Sequence, residues 1–327
     1  MFQTRVTDML GIKYPIMLGG MMWLGRAELA AAVSNAGGFG MIASGNFPSP
    51  GELRAEIRKL RSLTDKPFGV NVTLMPTFRP VDRGALVDTA IEEGATAIET
   101  AGRDAEQFVE RIKKGKAKMI HKCARVRDAI NAERWGADAV TVVGFECGGA
   151  PPMNEVTTFV LVPLAVDAVK IPVLAGGGIG DARGFVAALA LGAEAVVMGT
   201  RFIATRECAA HPNIKEAIIK ARETDTVLVQ RSIGTMERVL RNETAETVLA
   251  MEQKGATLEQ LREFIMGERS RKSWFEGDVN LGVLPCGQVI GQIREVVSVK
   301  ELIDTIVQRA VTIHKRLSPG EVYDGAR

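Results

Sequence analysis

Two glycine-rich segments, AGGGIGD at residues 175–181 and MGTR at residues 198–201, are where residue type and spacing in this 327-residue chain point most directly to chemistry. Glycine lets backbone N–H groups approach an anion with no side chain in the way, and a helix that follows adds the positive end of its dipole. Gly176, Gly177, Gly178, Gly199 and Thr200 therefore predict a site for a phosphorylated ligand, with the Thr200 hydroxyl as a donor. Either cluster alone could merely make a tight turn. Both together, each closing a short apolar run, match the recurrent phosphate site of parallel barrels.

Other segments add candidates around that site. Gly19-Gly20-Met21 would let backbone and a soft thioether lie against a flat ring, although Met21 alone reads as core packing. Asn71 can offer its amide to a heteroaromatic edge, with Thr73 in the same strand. Lys122 can place positive charge beside an anionic reduced ring, or act as a Schiff-base nucleophile as in barrel aldolases. Glu146, in GFECGG, reads equally as a general acid or base, an anchor for a ribityl hydroxyl, or a solvated carboxylate. His121 neighbours Lys122, so strand alternation turns it away from whatever Lys122 faces. Cys147 reads as a small buried residue in preference to a redox thiol, and His211-Pro212 as a turn.

The elements that must position these residues recur as apolar, β-branched runs followed by helix-like stretches. Strands are expected at residues 16–18, 39–43, 68–74, 97–100, 118–122, 139–143, 173–175 and 195–198. Continuous apolar strands such as AVTVV suit a parallel sheet buried on both faces. Eight βα units favour an α/β fold of the (β/α)8 TIM-barrel type over an open doubly wound sheet. Ser49-Pro50 and Asp181 are suited to start helices, and Gly37-Gly38 to end one. From Cys208 to Asn280 strand signals fade and NIKEAIIKARE, TAETVLAMEQ and TLEQLREFIMG read as helices. The expected organisation is a barrel over residues 1–207, a helical insert over 208–280, and a return segment with a C-terminal helix over 281–327, packed on the barrel.

Composition narrows the partners. Lys and Arg number 41 against 39 Asp and Glu, with no basic, aromatic-rich stretch, which speaks against nucleic acid. No apolar run is long enough for a membrane span and the first residues lack a signal-peptide pattern, so a cytoplasmic location is expected. Cys123, Cys147, Cys208 and Cys286 are too scattered for a disulfide framework or a zinc site, so no metal is expected.

The segments GGMMWLGRAELAAAVSNAGGFG, PFGVNVTLMPT, IHKC, GFECGG, LAGGGIGDARGFVAALALGAEAVVMGTRF and ATRECAAHP, in this order, closely resemble the nitronate monooxygenase (2-nitropropane dioxygenase) family. Within it the resemblance points to bacterial NADH:quinone reductase members, and the family is similar to flavin-dependent enoyl-ACP reductase. The resemblance implies a TIM barrel with non-covalent FMN and NADH or NADPH as co-substrate. It implies that Gly19, Gly20 and Met21 contact the isoalloxazine, and Asn71 and Lys122 its polar edge. The phosphate falls to Gly176, Gly177, Gly178, Gly199 and Thr200; a ribityl role for Gly148 and Gly149 rests on the resemblance alone. It also suggests Met75-Pro76-Thr77, stiffened by Pro76 and Pro80, as part of a lid over the nicotinamide.

One departure bears on function. Members acting on nitronates or enoyl thioesters usually follow this glycine pair with histidine, and here Ala150 follows, which can neither transfer a proton nor donate a hydrogen bond. Hydride transfer to a quinone or other conjugated acceptor needs little of the protein beyond positioning, so NAD(P)H-dependent reduction is preferred over nitronate oxidation. Basic residues such as Arg238, Arg241 or Lys272 rimming an apolar cleft would favour a thioester substrate. A Schiff-base lyase using Lys122 is the non-redox alternative, and a non-catalytic flavin protein the least favoured. Small-molecule substrates are expected, with a homodimer left open.

Overall fold

The computed structural model describes residues 2–75, 81–103 and 105–317. Eight parallel strands, β1 (Ile16–Leu18), β2 (Gly40–Ala43), β3 (Phe68–Thr73), β4 (Ala97–Ala101), β5 (Lys118–Cys123), β6 (Ala139–Val143), β7 (Val173–Gly176) and β8 (Ala195–Met198), form one sheet. Its order runs β1-β8-β7-β6-β5-β4-β3-β2, and a parallel bridge between Met17 and Phe39 brings the two ends together. This is the (β/α)8 barrel, with every expected strand present to within one residue at either end.

Local chemistry explains the helix ends. Ser49 accepts from the Glu52 amide with Pro50 in the first turn of Pro50–Leu63, and Asp181 accepts from the amides of Arg183 and Gly184 to start Ala182–Ala190. Gly37, past the end of Ala27–Asn35, takes a φ of 90°, which only glycine adopts without strain. Strand side chains are buried on both faces, and Phe39, Phe68, Phe185 and Phe202 are among the largest wholly enclosed.

After β8 comes only a short helical turn, Thr200–Ile203, and then the insert. The helix Val299–Leu317 returns to pack against Ala182–Ala190 and Ala27–Asn35, so it fills the eighth place in the outer ring. The insert contains the expected helices Pro212–Lys220, Glu243–Gln253 and Leu258–Ile265, and also Gly267–Glu276. It differs from the expectation in one respect: β9 (Thr226–Val229) and β10 (Glu237–Leu240) pair as an antiparallel hairpin. Four-residue strands, one of them beginning Glu-Arg, give too little alternation to register in sequence, but Val227, Val229 and Val239 bury a second small core with Ala245, Val248, Leu261 and Val283. No helix among the described residues is long and apolar enough to cross a membrane.

Candidate active site at the barrel mouth

All eight strands run the same way, so the residues following them meet at one mouth. The Gly19 amide donates to the Met198 carbonyl at 2.8 Å, which locks the turn after β1 to the end of β8. A Cβ on Gly20 would stand 2.4 Å from Cγ of Asn71, so only glycine allows this turn to lie against the β3 amide. The Met21 sulfur is 3.6 Å from where a Gly199 Cβ would be, bridging the β1 and β8 turns. Gly19, Gly20, Met21, Asn71 and Gly199, far apart in sequence, thus share one wall.

Beneath that wall lies a polar layer in the lumen. Asn71 donates through Nδ2 to Glu99 Oε2 at 2.6 Å, Lys122 Nζ lies 3.0 Å from the same oxygen, and Thr73 donates to Asn71 Oδ1 at 3.2 Å. Glu99 is wholly buried, and its Oε1, like the Thr141 hydroxyl, has no hydrogen-bond partner among the described residues. Register aligns Asn71 with Glu99 and Lys122 with Thr141, placing each pair on the same side of the sheet. Glu99 escaped the sequence reading; the available signal was a carboxylate set inside a short buried strand at the level of Asn71. His121 faces the other way: Thr100 Oγ1 is 3.0 Å from its Nδ1 and its ring meets Trp135 edge-on, and burial lowers its pKa so that it stays neutral.

The turns after β7 and β8 continue round the mouth from that wall. Gly177 and Gly178 have φ of 96° and 72°, so this loop depends on glycine. Because Asp181 already caps the helix Ala182–Ala190, an anion here would meet loop amides more than that helix's own N-terminus. The buried Thr200 hydroxyl accepts from the Gly287 amide at 2.9 Å, which leaves its own proton free to donate. The return segment therefore orients the donor that the sequence singled out.

Glu146, in the β6 turn, stands beside the β7 turn, where a Cβ on Gly178 would be 3.4 Å from that of Glu146. Its carboxylate accepts from the Thr158 amide at 2.9 Å, and the Thr158 hydroxyl lies 2.9 Å from Glu146, 3.1 Å from the Gly176 carbonyl and 3.0 Å from that of Gly177. Three acceptors compete for one hydroxyl proton, and the start of helix Thr158–Ala168 is wedged between the β6 and β7 turns. A Cβ on Gly144 would stand 2.1 Å from the Thr158 hydroxyl, so glycine is required there too. Thr158 was not anticipated, because a threonine opening a helix ordinarily signals only a cap.

Gly148 packs with a prospective Cβ 2.7 Å from the Gly287 amide, whereas Gly149 has open space around it and a φ of 74°. Gly149 and Arg238 exchange backbone hydrogen bonds of 3.0 and 2.7 Å, stitching β10 to the β6 turn. Arg238 does not stand at a rim: it is buried, its guanidinium 4.7 Å over the Phe145 ring and donating to the Phe145 carbonyl at 3.1 Å. Arg241 pairs with Glu246 at the surface and Lys272 is exposed. Burial pushes the Cys147 thiol up to about 12, so it carries no thiolate near neutral pH. Ala150 is exposed and presents only a methyl group. A cavity of about 530 Å³ opens beside Glu146 and Gly178, bounded by Glu223, Thr226, Gln288 and Gln292. Met75 is exposed, while Pro76, Thr77 and Pro80 of the suggested lid lie outside the described residues.

The profile of the nitronate monooxygenase family matches residues 3–309. The chain is 34% identical to a 5-hydroxy-7a-methyl-1-oxo-octahydro-1H-indene-4-carboxyl-CoA dehydrogenase of Mycobacterium tuberculosis, covering 95% of this chain and 96% of the relative. It is 36% identical to a probable nitronate monooxygenase of Staphylococcus aureus strain Newman over 73% of this chain and 79% of that one. Among solved structures, FabK from Thermotoga maritima superposes with a TM-score of 0.91 at 42% identity, covering 96% of this chain and 98% of that one. A nitroalkane oxidase from Streptomyces ansochromogenes, at 24% identity and a TM-score of 0.80, shares the fold. With the barrel, the glycine turns and the match along nearly its whole length in agreement, the chain belongs to the nitronate monooxygenase family.

Proposed function

We propose that the chain is an FMN-dependent oxidoreductase that carries hydride from NAD(P)H to a quinone or other small conjugated acceptor. The observation that carries this reading is the meeting, at one mouth, of two glycine turns with an oriented hydroxyl and a glycine-walled face over a lysine-bearing lumen. The residues fit the cofactor: Gly20 lets the β1 turn lie against the Asn71 amide, and Gly177, Gly178, Gly199 and Thr200 offer donors to a phosphate. Gly148 and Gly149 stand on the ribityl side.

Bound there, FMN supplies reversible hydride acceptance and donation. Asn71, its amide fixed by Glu99 and Thr73, orients the polar edge of the ring. Lys122 offers an ammonium to the negative charge that accumulates on reduction. Glu146, whose carboxylate is held by Thr158, fixes the wall between the β6 and β7 turns. With Ala150 and not an imidazole beside the site, the acceptor takes its proton from solvent or arrives needing none of the protein's.

A second reading, an acyl-CoA thioester as acceptor, is favoured by the near full-length likeness to a carboxyl-CoA dehydrogenase. Anaerobic stopped-flow reduction with NADH and with NADPH, followed by reoxidation with quinones, enoyl-CoA esters and alkyl nitronates, tests both. Flavin bleaching by a nicotinamide and fast return with a quinone is the expected result. Bleaching by a nitronate alone would remove the reductase reading, and return only with a CoA ester would select the second.

A further inference from the structure

We propose that Glu99 is a positioning residue that, through its ion pair with Lys122 and its hydrogen bond from Asn71, sets how strongly the site favours the reduced flavin. This rests on the FMN reading above. Three observations support it. Glu99 is wholly buried, and a buried carboxylate is retained only with partners that compensate its desolvation. One of its oxygens gathers two groups already assigned to the ring, Asn71 Nδ2 at 2.6 Å and Lys122 Nζ at 3.0 Å. Its other oxygen has no partner among the described residues, so nothing else explains why a carboxylate should occupy this position in place of an apolar side chain.

The consequence follows from charge. Lys122 alone would place an uncompensated cation at the polar edge of the ring and draw the equilibrium strongly toward the anionic reduced form. Glu99 cancels most of that pull while holding the ammonium in place, and by accepting from Asn71 Nδ2 it also decides which way the amide faces. Thr141, level with Lys122 on the next strand, is the only other unpartnered buried side-chain polar group among the described residues, and it is uncharged.

The test is the midpoint potential of bound FMN, measured by equilibration with a reference dye in wild type, Glu99→Gln, Lys122→Gln and the double variant. E99Q should shift the ratio of reduced to oxidised flavin at a fixed potential about tenfold toward reduced, about 30 mV for a two-electron couple. K122Q should shift it in the opposite sense, and E99Q/K122Q should return near wild type. A merely structural role would move both single variants the same way, and Glu99→Asp should restore the wild-type value. Equal potentials in wild type and E99Q, both yellow, would overturn the inference while leaving FMN binding intact. A colourless wild type that takes up no FMN would instead remove the flavin reading itself. If E99Q does not accumulate, recovery of a yellow double variant supports the pairing, and loss of both overturns it.

Discussion

At the scale of single residues, the site divides into groups that could touch a ligand and groups that hold them. Thr200 belongs to the first kind, because its oxygen accepts from the Gly287 amide and its proton stays free to donate. Thr200→Ala should weaken FMN binding by about 2 kcal/mol, roughly thirtyfold in Kd, with Thr200→Ser near wild type, as read by flavin fluorescence on titration. Equal affinity in the alanine variant would show that the hydroxyl does not reach the phosphate. Glu99 and Thr158 belong to the second kind, and neither was legible beforehand. Sequence displays residue types and their spacing along the chain, whereas the value of Glu99 lies in lateral register with Asn71 across two strands. The glycines, by contrast, were visible because the backbone conformation they permit is a property of the residue itself, as Gly177 and Gly178 show.

At the scale of elements, the strands were legible to within a residue because burial on both faces leaves a continuous apolar run, as in Ala139–Val143. The hairpin Thr226–Val229 with Glu237–Leu240 was not, since its pairing depends on a turn in which Gln230 adopts a φ of 62° and on contact with the barrel at Gly149. The helix Thr158–Ala168 carries its own prediction. Glu146→Gln removes a charge that accepts from its first turn, and should cost about 1 kcal/mol of stability. The rate of flavin reduction by NAD(P)H should change less than twofold, whereas loss of a true acid or base typically costs 10²- to 10⁴-fold. Thermal melting and stopped-flow on the same preparation separate the two.

At the scale of the whole molecule, β10 joins the insert to the barrel through Arg238, and its other face carries a titrating group, Glu237. Burial raises the Glu237 carboxyl to about 7, with a hydrogen bond from Gln230 opposing it. A carboxyl raised in the folded state binds its proton more tightly than in the unfolded chain. Its contribution is complete below the unfolded value near 4.5 and is lost as pH climbs through about 7. Wild type should lose on the order of 3 kcal/mol relative to Glu237→Gln between these limits, measured by denaturant unfolding across that range. An identical slope in both proteins would contradict the assignment.

The outer ring of helices is completed by Val299–Leu317, which packs between segments that precede it by more than a hundred residues. A chain truncated before Val299 leaves apolar barrel surface bare between Ala27–Asn35 and Ala182–Ala190, and one truncated before Gly287 also loses the amide that orients Thr200. The segment that closes the barrel wall and the one that readies Thr200 thus follow one another directly along the chain.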